Sequence, residues 1–429
     1  MARPLHLLVL GAAGQMTSVA TQIVCAADPD LRVTLVDRDA EALARLEAQL
    51  GSGRAEATAL DLFDEPALCR ALDGVDFVIN GAGPFHRTAG PVMRACIDAG
   101  ASYMDIDDDV ESTLEAIELD GAARLAGVTL YVGHGASPGL SNVLALDAMR
   151  RLDEPQEVEV AWCVGESGGG AIGRAVAEHT LHIGAGEFTG WRNGKRRRRE
   201  SFAQSTLFPL ADPPGACRLY ECAHPEPVML GFSHPRLRDV VCWGGLHPAS
   251  LNGALRGIAV AVREGRLGID DACAFLQSGA HAAGRRDDAS AAAGPPRGAR
   301  AARFAMHGIL RQVLRRECSP REAWATLRPR RGGARPQPVS GIGARVRGLR
   351  GGRPAEVVVS VRLDAHAGAA GETGSMAAAT GACEAAFFQL ARAGGAAPGV
   401  VFPEMWVEPA AFYAALGVIV GAVPSIEIA

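Results

Sequence analysis

The stretch LHLLVLGAAG, residues 5–14, decides the fold of this chain. Residues 5–10 are apolar apart from His6, as expected of a strand that is buried on both faces of a parallel sheet. The turn Gly11–Gly14 follows, and a predicted helix from Gln15 to Ala27 comes directly after it. A strand, a glycine turn and a helix in immediate succession predict the first unit of an α/β sheet.

The same alternation continues along the chain. Predicted strands are Arg32 to Val36, Ala57 to Leu60 and Phe77 to Asn80, and predicted helices are Ala40 to Leu50, Pro66 to Leu72 and Gly90 to Ala99. Repeated strand–helix units with short connections favour a right-handed, doubly wound parallel sheet of the Rossmann type.

Three loops are predicted at the carboxyl edge of this sheet, where ligands of such folds bind: Gly11–Gly14, Asp37–Arg38 and Asn80–Phe85. The glycine turn matches neither GxGxxG nor GxxGxxG completely, so the prediction of a nucleotide site rests on all three loops together. The predicted cofactor contacts are Gly11, Ala13, Gly14, Gln15, Met16, Asp37, Arg38, Asp61, Asn80, Gly81, Ala82, Gly83, Pro84, Phe85 and Asn142.

Two neighbouring residues favour different cofactors. Asp37 is placed to accept hydrogen bonds from the adenosine ribose, which favours NAD because a carboxylate repels the 2′-phosphate of NADP. Arg38 is placed to pair with that phosphate. The pattern predicts NAD or NADP and leans to NAD.

Composition excludes several classes of partner. A net charge of -5 gives no electrostatic reason for nucleic acid or an anionic membrane as partner. The ten cysteines form no CxxC pair, so no metal site is predicted. No apolar stretch approaches the length of a membrane span, and a cytoplasmic protein is expected.

Three blocks of the sequence resemble the saccharopine dehydrogenase (saccharopine reductase) family. The first contains Gly81–Phe85 and Tyr103–Asp105, the second is Pro138–Asn142, and the third runs from Met376 to Glu404. The resemblance implies an NAD(P)-dependent oxidoreductase acting on a carbon–nitrogen bond of an amino-acid-derived amine or imine. It also implies an α/β chain whose Rossmann domain comprises residues 1–133 and 374–429, with residues 134–373 forming an α+β substrate and oligomerisation domain.

Two other functions remain open at this point. One is a synthase that uses bound NAD transiently without net redox change. The other is a catalytically silent nucleotide sensor.

Candidate catalytic residues are Asp105, Tyr103 and His134. Asp105 belongs to an acidic group with Asp107, Asp108 and Asp109, which could bind the ammonium of a substrate or equally cap a helix. Tyr103 could donate a hydrogen bond to the reacting nitrogen or pack in a strand. The pKa of histidine suits His134 to acid–base work, although the pattern favours a histidine that merely closes a turn.

The second domain is predicted to contain a mostly antiparallel sheet, with a hairpin around Asn193–Gly194 and a helical insertion near 253–330. Residues 284–301 of that insertion are rich in Arg, Ala and Gly and are predicted to be mobile. Candidate pocket residues are Arg174, His179, Trp191 and Trp243. A homodimer is expected because the sheet would leave an exposed edge.

Overall fold

A computed structural model of the protein describes residues 3–51, 53–165, 172–211, 215–278, 297–327, 339–362, 367–368, 371–372, 376–421 and 425–428. The first elements are β1 (His6–Leu10), α1 (Gln15–Ala27), β2 (Arg32–Asp37), α2 (Ala40–Leu50), β3 (Ala55–Ala59), α3 (Glu65–Ala71), β4 (Phe77–Asn80), α4 (Phe85–Ala99), β5 (Ser102–Asp105), α5 (Val110–Ala126), β6 (Thr129–Tyr131) and α6 (Leu140–Met149).

The middle of the chain contains β7 (Glu154–Gly165), α7 (Arg174–Ile183), β8 (Gly186–Arg192), β9 (Lys195–Ser201), β10 (Ser205–Leu210), β11 (Gly215–Glu221), α8 (Glu226–Ser233), β12 (Asp239–Leu246), α9 (Ser250–Arg263), α10 (Ile269–Gln277), α11 (Arg297–Leu314) and α12 (Pro320–Leu327). The last elements are β13 (Val339–Arg350), β14 (Arg353–Arg362), β15 (Ala367–Gly368), β16 (Gly371–Glu372), α13 (Met376–Gly394), β17 (Gly399–Val401), α14 (Pro403–Trp406), α15 (Pro409–Val420) and β18 (Ser425–Ile428).

The first sheet is parallel and has the order β17-β6-β5-β4-β1-β2-β3. Leu7 and Val9 of β1 pack in one core cluster, and Leu8 and Leu10 pack in another. Both faces of the strand are therefore buried, which is why its sequence is almost continuously apolar. The strand order reverses between β1 and β4, as the predicted doubly wound fold requires.

One helix differs from its prediction. We expected a helix from Gly90, but α4 begins at Phe85, directly after Pro84, and it accommodates Pro91 in its interior. Gly90 lies in the middle of the helix because α5 packs against it: a Cβ at this position would lie 2.2 Å from Glu115 Oε2. The glycine thus leaves room for the Glu115 carboxylate and does not mark a helix start.

The second sheet is mixed, with the order β10-β11-β12-β7-β13-β14-β18 and with β8 and β9 attached to β12. Its pairs are antiparallel except for β12 with β7, so the predicted α+β architecture is confirmed. Asn193 and Gly194 have φ of 52° and 69°, the conformation that a two-residue hairpin turn requires.

The C-terminal segment returns to the first sheet. α13 packs on α1, and β17 pairs with β6. The final strand β18 instead pairs with β14 of the mixed sheet, so residues 374–429 contribute to both sheets. The exact domain boundaries and the homodimer stay predictions. Most of the predicted mobile stretch 284–301 lies outside the described residues, and no described helix is long and apolar enough to cross a membrane.

Candidate active site

The turn between β1 and α1 has the features of an anion site. Gly11 has a left-handed backbone, with φ of 67°. α1 begins after Gly14 with no side-chain cap and no acid in its first turn, whereas Asp39 caps α2 and Asp64 caps α3. The first N–H groups of a helix lack acceptors inside the helix, and the helix dipole favours negative charge there. This turn therefore fits the pyrophosphate of a dinucleotide. Ala13 lies in this turn, and Gln15 and Met16 are the first two residues of α1.

Asp37 lies beside this turn at the end of β2. Its Oδ2 accepts a hydrogen bond from Ala13 N at 3.2 Å, and its Oδ1 accepts one from Asp39 N at 3.1 Å. The carboxylate is thereby fixed where the adenosine ribose lies in this fold. Arg38 and Asp61 are exposed near the same edge.

The loop after β4 lies directly against the first turn. A Cβ on Gly11 would lie 2.7 Å from Ala82 N, and a Cβ on Gly81 would lie 1.6 Å from Thr17 Oγ1, so both positions require glycine. Ala82 N donates to Asn80 Oδ1 over 3.2 Å. Since the strand order reverses here, this loop occupies the place expected for contact with nicotinamide. Gly83 and Pro84 complete the loop, and Phe85 begins α4.

Three polar side chains form a buried network beneath that loop. Tyr103 OH donates to Asp105 Oδ2 over 2.6 Å and accepts from Asn80 Nδ2 over 3.0 Å. Asp105 Oδ1 also accepts from Gly133 N at 2.7 Å and Asp107 N at 3.2 Å. Burial raises the pKa of Asp105 to about 6, although these donors oppose the shift. Both Tyr103 and Asp105 are fully buried, which suits a positioning role better than contact with substrate. Their predicted catalytic roles stay predictions.

The acidic segment after β5 divides into residues with different surroundings. Asp107 is fully buried, and its Oδ2 has no hydrogen-bond partner among the described residues. Burial, with Asp105 and Asp109 nearby, raises the pKa of Asp107 well above its usual value. Burial also opposes ionisation of Asp109, but His179 and His86 outweigh it and hold the pKa of Asp109 well below the usual range. The pKa values of these two neighbouring carboxyls are therefore shifted in opposite directions.

Helix α7 follows β7 of the mixed sheet and covers the carboxyl edge of the parallel sheet. We call the mixed sheet and the helices packed on it the second sheet region. Ala175 Cβ lies 3.5 Å from the Cβ position of Gly83, and one turn later His179 reaches the acidic segment. His179 Nδ1 lies 3.0 Å from Asp109 Oδ1, and His179 Nε2 lies 3.1 Å from Asp108 Oδ2. Burial lowers the pKa of His179, but the two carboxylates more than compensate and raise it above its usual value. An imidazole is therefore fixed between two carboxylates beside the predicted nicotinamide loop.

A second histidine–carboxylate pair adjoins this group. His224 Nδ1 lies 2.7 Å from Glu226 Oε2, and Glu226 Oε1 accepts hydrogen bonds from Ser137 and Ser141 at 2.6 and 2.9 Å. Burial opposes both charges, yet the pair raises the pKa of His224 to about 9 and lowers that of Glu226 to about 2. The rings of His224 and His179 are 6.1 Å apart. Together Asp108, Asp109, His179, His224 and Glu226 form what we call the edge cluster.

Two predicted site residues lie away from the edge cluster. His134 is fully buried, and its Nε2 accepts a hydrogen bond from Trp406 Nε1 at 3.0 Å. Burial lowers the pKa of His134 to about 3, so the ring is neutral and poorly suited to acid–base work near neutral pH. Asn142 is also fully buried, with Nδ2 donating to Glu404 Oε2 at 2.8 Å and Oδ1 accepting from Gly139 N at 3.1 Å. Its Oδ1 thus stabilises the start of α6, and its predicted contact with the cofactor stays a prediction.

The other candidate pocket residues differ in their roles. His179 is in the edge cluster, as described. Arg174 forms ion pairs with Glu178 and Asp270 at 2.7 and 2.6 Å. Trp191 and Trp243 donate their indole N–H groups to Leu237 O and Glu159 Oε1 and belong to the framework.

Sequence reasoning missed His86, His224 and Glu226. His86 directly follows the predicted loop Asn80–Phe85, and both its N–H and its Nδ1 contact Asp109 Oδ2 at 2.9 and 3.1 Å. His224 and Glu226 are two residues apart in an apolar stretch, which is the signal that could have identified them. Neither position can be related to Asp108 from local sequence alone.

Comparisons with known proteins identify similar sequences and a similar fold. Residues 7–131 match the family model described as the saccharopine dehydrogenase NADP binding domain. The chain is 26% identical over 166 residues to carboxyaminopropylagmatine dehydrogenase of Synechocystis sp., covering 36% of this chain and 41% of the relative. It is 26% identical over 164 residues to trans-acting enoyl reductase of Mycobacterium leprae, covering 37% of this chain and 38% of the relative. It is 29% identical over 144 residues to human saccharopine dehydrogenase-like oxidoreductase, covering 30% of this chain and 33% of the relative.

These alignments span only 33% to 41% of the length of the curated relatives. The structural similarity is more extensive. Apo saccharopine dehydrogenase (L-Glu forming) of Saccharomyces cerevisiae superimposes with a TM-score of 0.62 at 16% identity, covering 99% of both chains. The predicted resemblance is therefore confirmed: residues 7–131 match the family model of the saccharopine dehydrogenase NADP binding domain, and the whole chain has the fold of saccharopine dehydrogenase.

Proposed function

We propose that this protein is an NAD(P)-dependent oxidoreductase that acts on a carbon–nitrogen bond of an amino-acid-derived amine or imine. The observation that carries the proposal is the position of His179. Its ring is held between Asp108 and Asp109, one helical turn from the contact between Ala175 and Gly83. Titratable groups thus lie beside the loop predicted to contact nicotinamide.

The chemistry of an amine explains why such groups are needed. When an amine is oxidised to an imine, the carbon loses a hydride and the nitrogen loses a proton. The bound nicotinamide would accept or supply the hydride. The edge cluster offers carboxylates as acceptors for the proton, and in the reverse direction its protonated imidazoles return a proton to the nitrogen.

Charge also supports a substrate that contains nitrogen. The edge cluster holds the carboxylates of Asp108, Asp109 and Glu226 around two imidazoles. A site with this excess of acidic groups attracts a cationic ammonium and repels an anionic group. The amine end of the substrate therefore fits the edge cluster better than a carboxylate does.

For the cofactor we propose NAD. Asp37 is held by Ala13 N and Asp39 N in a fixed position at the end of β2. A 2′-phosphate at this place would lie close to the fixed negative charge. Arg38 is exposed and is free to turn toward solvent.

Cofactor binding and turnover can be tested separately. We expect NADH to raise the melting temperature of the full-length protein more than NADPH does. With the preferred cofactor, a screen of amines, and of amines paired with 2-oxo acids, should change the near-ultraviolet absorbance of reduced nicotinamide. If none of NAD, NADH, NADP and NADPH raised the melting temperature of the protein, the proposal would be overturned.

Variants connect turnover to the edge cluster. His179→Ala should abolish turnover while leaving dinucleotide binding intact, because His179 does not touch the turn after β1. His307→Ala, which removes an exposed histidine on α11, is the matched control. Full activity of His179→Ala would contradict the assignment, and dinucleotide binding without turnover of any amine would favour the silent sensor.

A further inference from the structure

Three ligand-type side chains converge at the centre of the edge cluster. One ligand atom each of Asp108, His179 and His224 lies within 4.8 Å of the others. They come from the segment before α5, from α7 and from the segment before α8, so only the tertiary fold brings them together. His179 Nε2 and Asp108 Oδ2 are 3.1 Å apart. Bonds of about 2.0 Å in a tetrahedral zinc site separate two ligand atoms by about 3.3 Å, which is close to this spacing.

A second observation is independent of that spacing: each histidine is anchored by a buried carboxylate. His179 Nδ1 contacts Asp109 Oδ1 at 3.0 Å, and His224 Nδ1 contacts Glu226 Oε2 at 2.7 Å. Histidines that bind metals almost always donate their other ring N–H to a carboxylate, a carbonyl or water, which fixes the tautomer and the ring orientation. Here both Nδ1 atoms are occupied in this way, which leaves Nε2 of each ring for a ligand.

The anchoring carboxylates are themselves held in place. Asp109 Oδ2 accepts from the backbone N–H of His86, and Glu226 Oε1 accepts from Ser137 and Ser141. The two imidazoles are therefore held by structure that does not depend on a ligand. Such preorganisation is what a metal site requires of its surroundings.

We propose that Asp108, His179 and His224 bind a divalent transition-metal ion of the zinc class. Two imidazole nitrogens and one carboxylate oxygen form the donor set of catalytic zinc sites, which keep a fourth position open. The side chain of Asp108 is 29% exposed, so the site is accessible from solvent. The role of the open position rests on the proposed function, since it would take the uncharged amine or imine nitrogen of the substrate, after an ammonium has lost its proton. Metal binding itself does not.

A neighbouring group offers a different donor set. Ligand atoms of His224, Glu226 and Cys242 also lie within 4.8 Å of one another. We favour the first group because Glu226 already accepts three hydrogen bonds, from His224, Ser137 and Ser141, and a metal would have to displace them. Only the set with Cys242 contains a sulfur ligand, so spectroscopy of a bound metal ion can distinguish the two sets.

The test uses full-length protein freed of metal by a chelator, without cofactor or substrate. Titration with Zn²⁺ is followed by calorimetry, and Co²⁺ is then added as a spectroscopic probe. We expect one Zn²⁺ per chain and a Co²⁺ spectrum of nitrogen and oxygen ligands without an intense thiolate charge-transfer band. Asp108→Asn, which keeps the size of the side chain, and His179→Ala should each weaken Zn²⁺ binding by about 100-fold. Glu226→Gln should weaken it by about 10-fold to 100-fold.

The control is His307→Ala, which should bind Zn²⁺ like the unaltered protein. Absence of Zn²⁺ binding by the folded, unaltered protein overturns the proposal, as does a full-affinity Asp108→Asn variant whose circular dichroism is unchanged. A thiolate band for Co²⁺ would assign the ion to Cys242 and would equally overturn this donor set. None of these results depends on turnover, so they leave the proposed oxidoreductase function to its own test.

Discussion

Removing the hydroxyl of Tyr103 should destabilise the protein strongly near neutral pH. Tyr103→Phe keeps the buried ring but deletes the donor to Asp105 Oδ2 and the acceptor for Asn80 Nδ2. A hydrogen bond to a charged group contributes about 1.5–3 kcal/mol, and a buried amide N–H without a partner costs about 1–3 kcal/mol. Some of these effects are relieved by local movement. We therefore expect a loss of about 3 kcal/mol in the free energy of unfolding at about pH 8.

The loss should shrink as the pH falls. Burial raises the pKa of Asp105 to about 6, from an ordinary value of 3.8, while the Tyr103 hydroxyl opposes that shift. A carboxyl whose folded pKa is raised binds its proton more tightly in the folded state, so stability increases as the pH falls through that pKa. Without the hydroxyl the folded pKa rises further. For each additional unit in the folded pKa of Asp105, the stability lost by the variant should shrink by about 1.4 kcal/mol between about pH 8 and pH 5.

Urea denaturation of both proteins at several pH values measures this difference directly. Other titrating groups are common to both proteins, so their effects cancel in the comparison. Tyr413→Phe is the matched control, because its hydroxyl lies 3.4 Å from Asp147 Oδ2 in a partly buried setting and should cost less than about 1 kcal/mol. A Tyr103→Phe loss below about 1 kcal/mol at pH 8, or a loss that does not vary with pH, would refute the network as described.

Three further outcomes are expected. Asp37→Ser should raise the affinity for NADPH relative to NADH by about 10-fold or more, as measured by calorimetry, because it removes a fixed charge beside the 2′-position. His134 has a folded pKa of about 3 against an ordinary 6.5, so only the unfolded chain gains its proton as the pH falls below 6.5. Between about pH 7.5 and 5.5, the free energy of unfolding should therefore fall by about 1.4 kcal/mol more in the unaltered protein than in His134→Gln, as measured by urea denaturation. Glu384 is fully buried, and its two carboxylate oxygens lack partners among the described residues, so Glu384→Met should stabilise the protein by about 1 kcal/mol or more. A Glu384→Met variant that is less stable than the unaltered protein would show that this carboxyl has a partner.

The nucleotide-binding part could be predicted because its determinants are local. The apolar run of residues 5–10, the turn at Gly11 and the acid at Asp37 each follow from neighbouring residues, and a parallel sheet necessarily places the carboxyl ends of its strands on one edge. The start of α4 was predicted wrongly because Gly90 has a packing role that only the contact with Glu115 reveals.

The chemistry of the site could not be predicted in the same way. His179 and Asp109 are separated by 70 residues: Asp109 lies between β5 and α5, and His179 lies on α7, which follows a strand of the mixed sheet. The sequence could identify an acidic segment, but it could not show that Asp105 would be covered by Tyr103 while Asp108 and Asp109 meet a helix of the second sheet region. His134 illustrates the same difficulty, since its neutral state depends on burial against Phe387 and Trp406 from the C-terminal segment.

The edge cluster combines groups of opposite charge from two parts of the chain: carboxylates that follow β5, and histidines from α7 and from the segment before α8. Asp108 and Asp109 alone would place two like charges side by side, which is unfavourable in a buried setting. His179 and His224 supply the compensating positive charge, but only when the second sheet region lies over the end of β5. The charge balance of the site thus depends on the packing of α7 and of the segment before α8 over the end of β5. A metal ion bound by both parts would stabilise this packing, because the unfolded chain does not hold its ligands together.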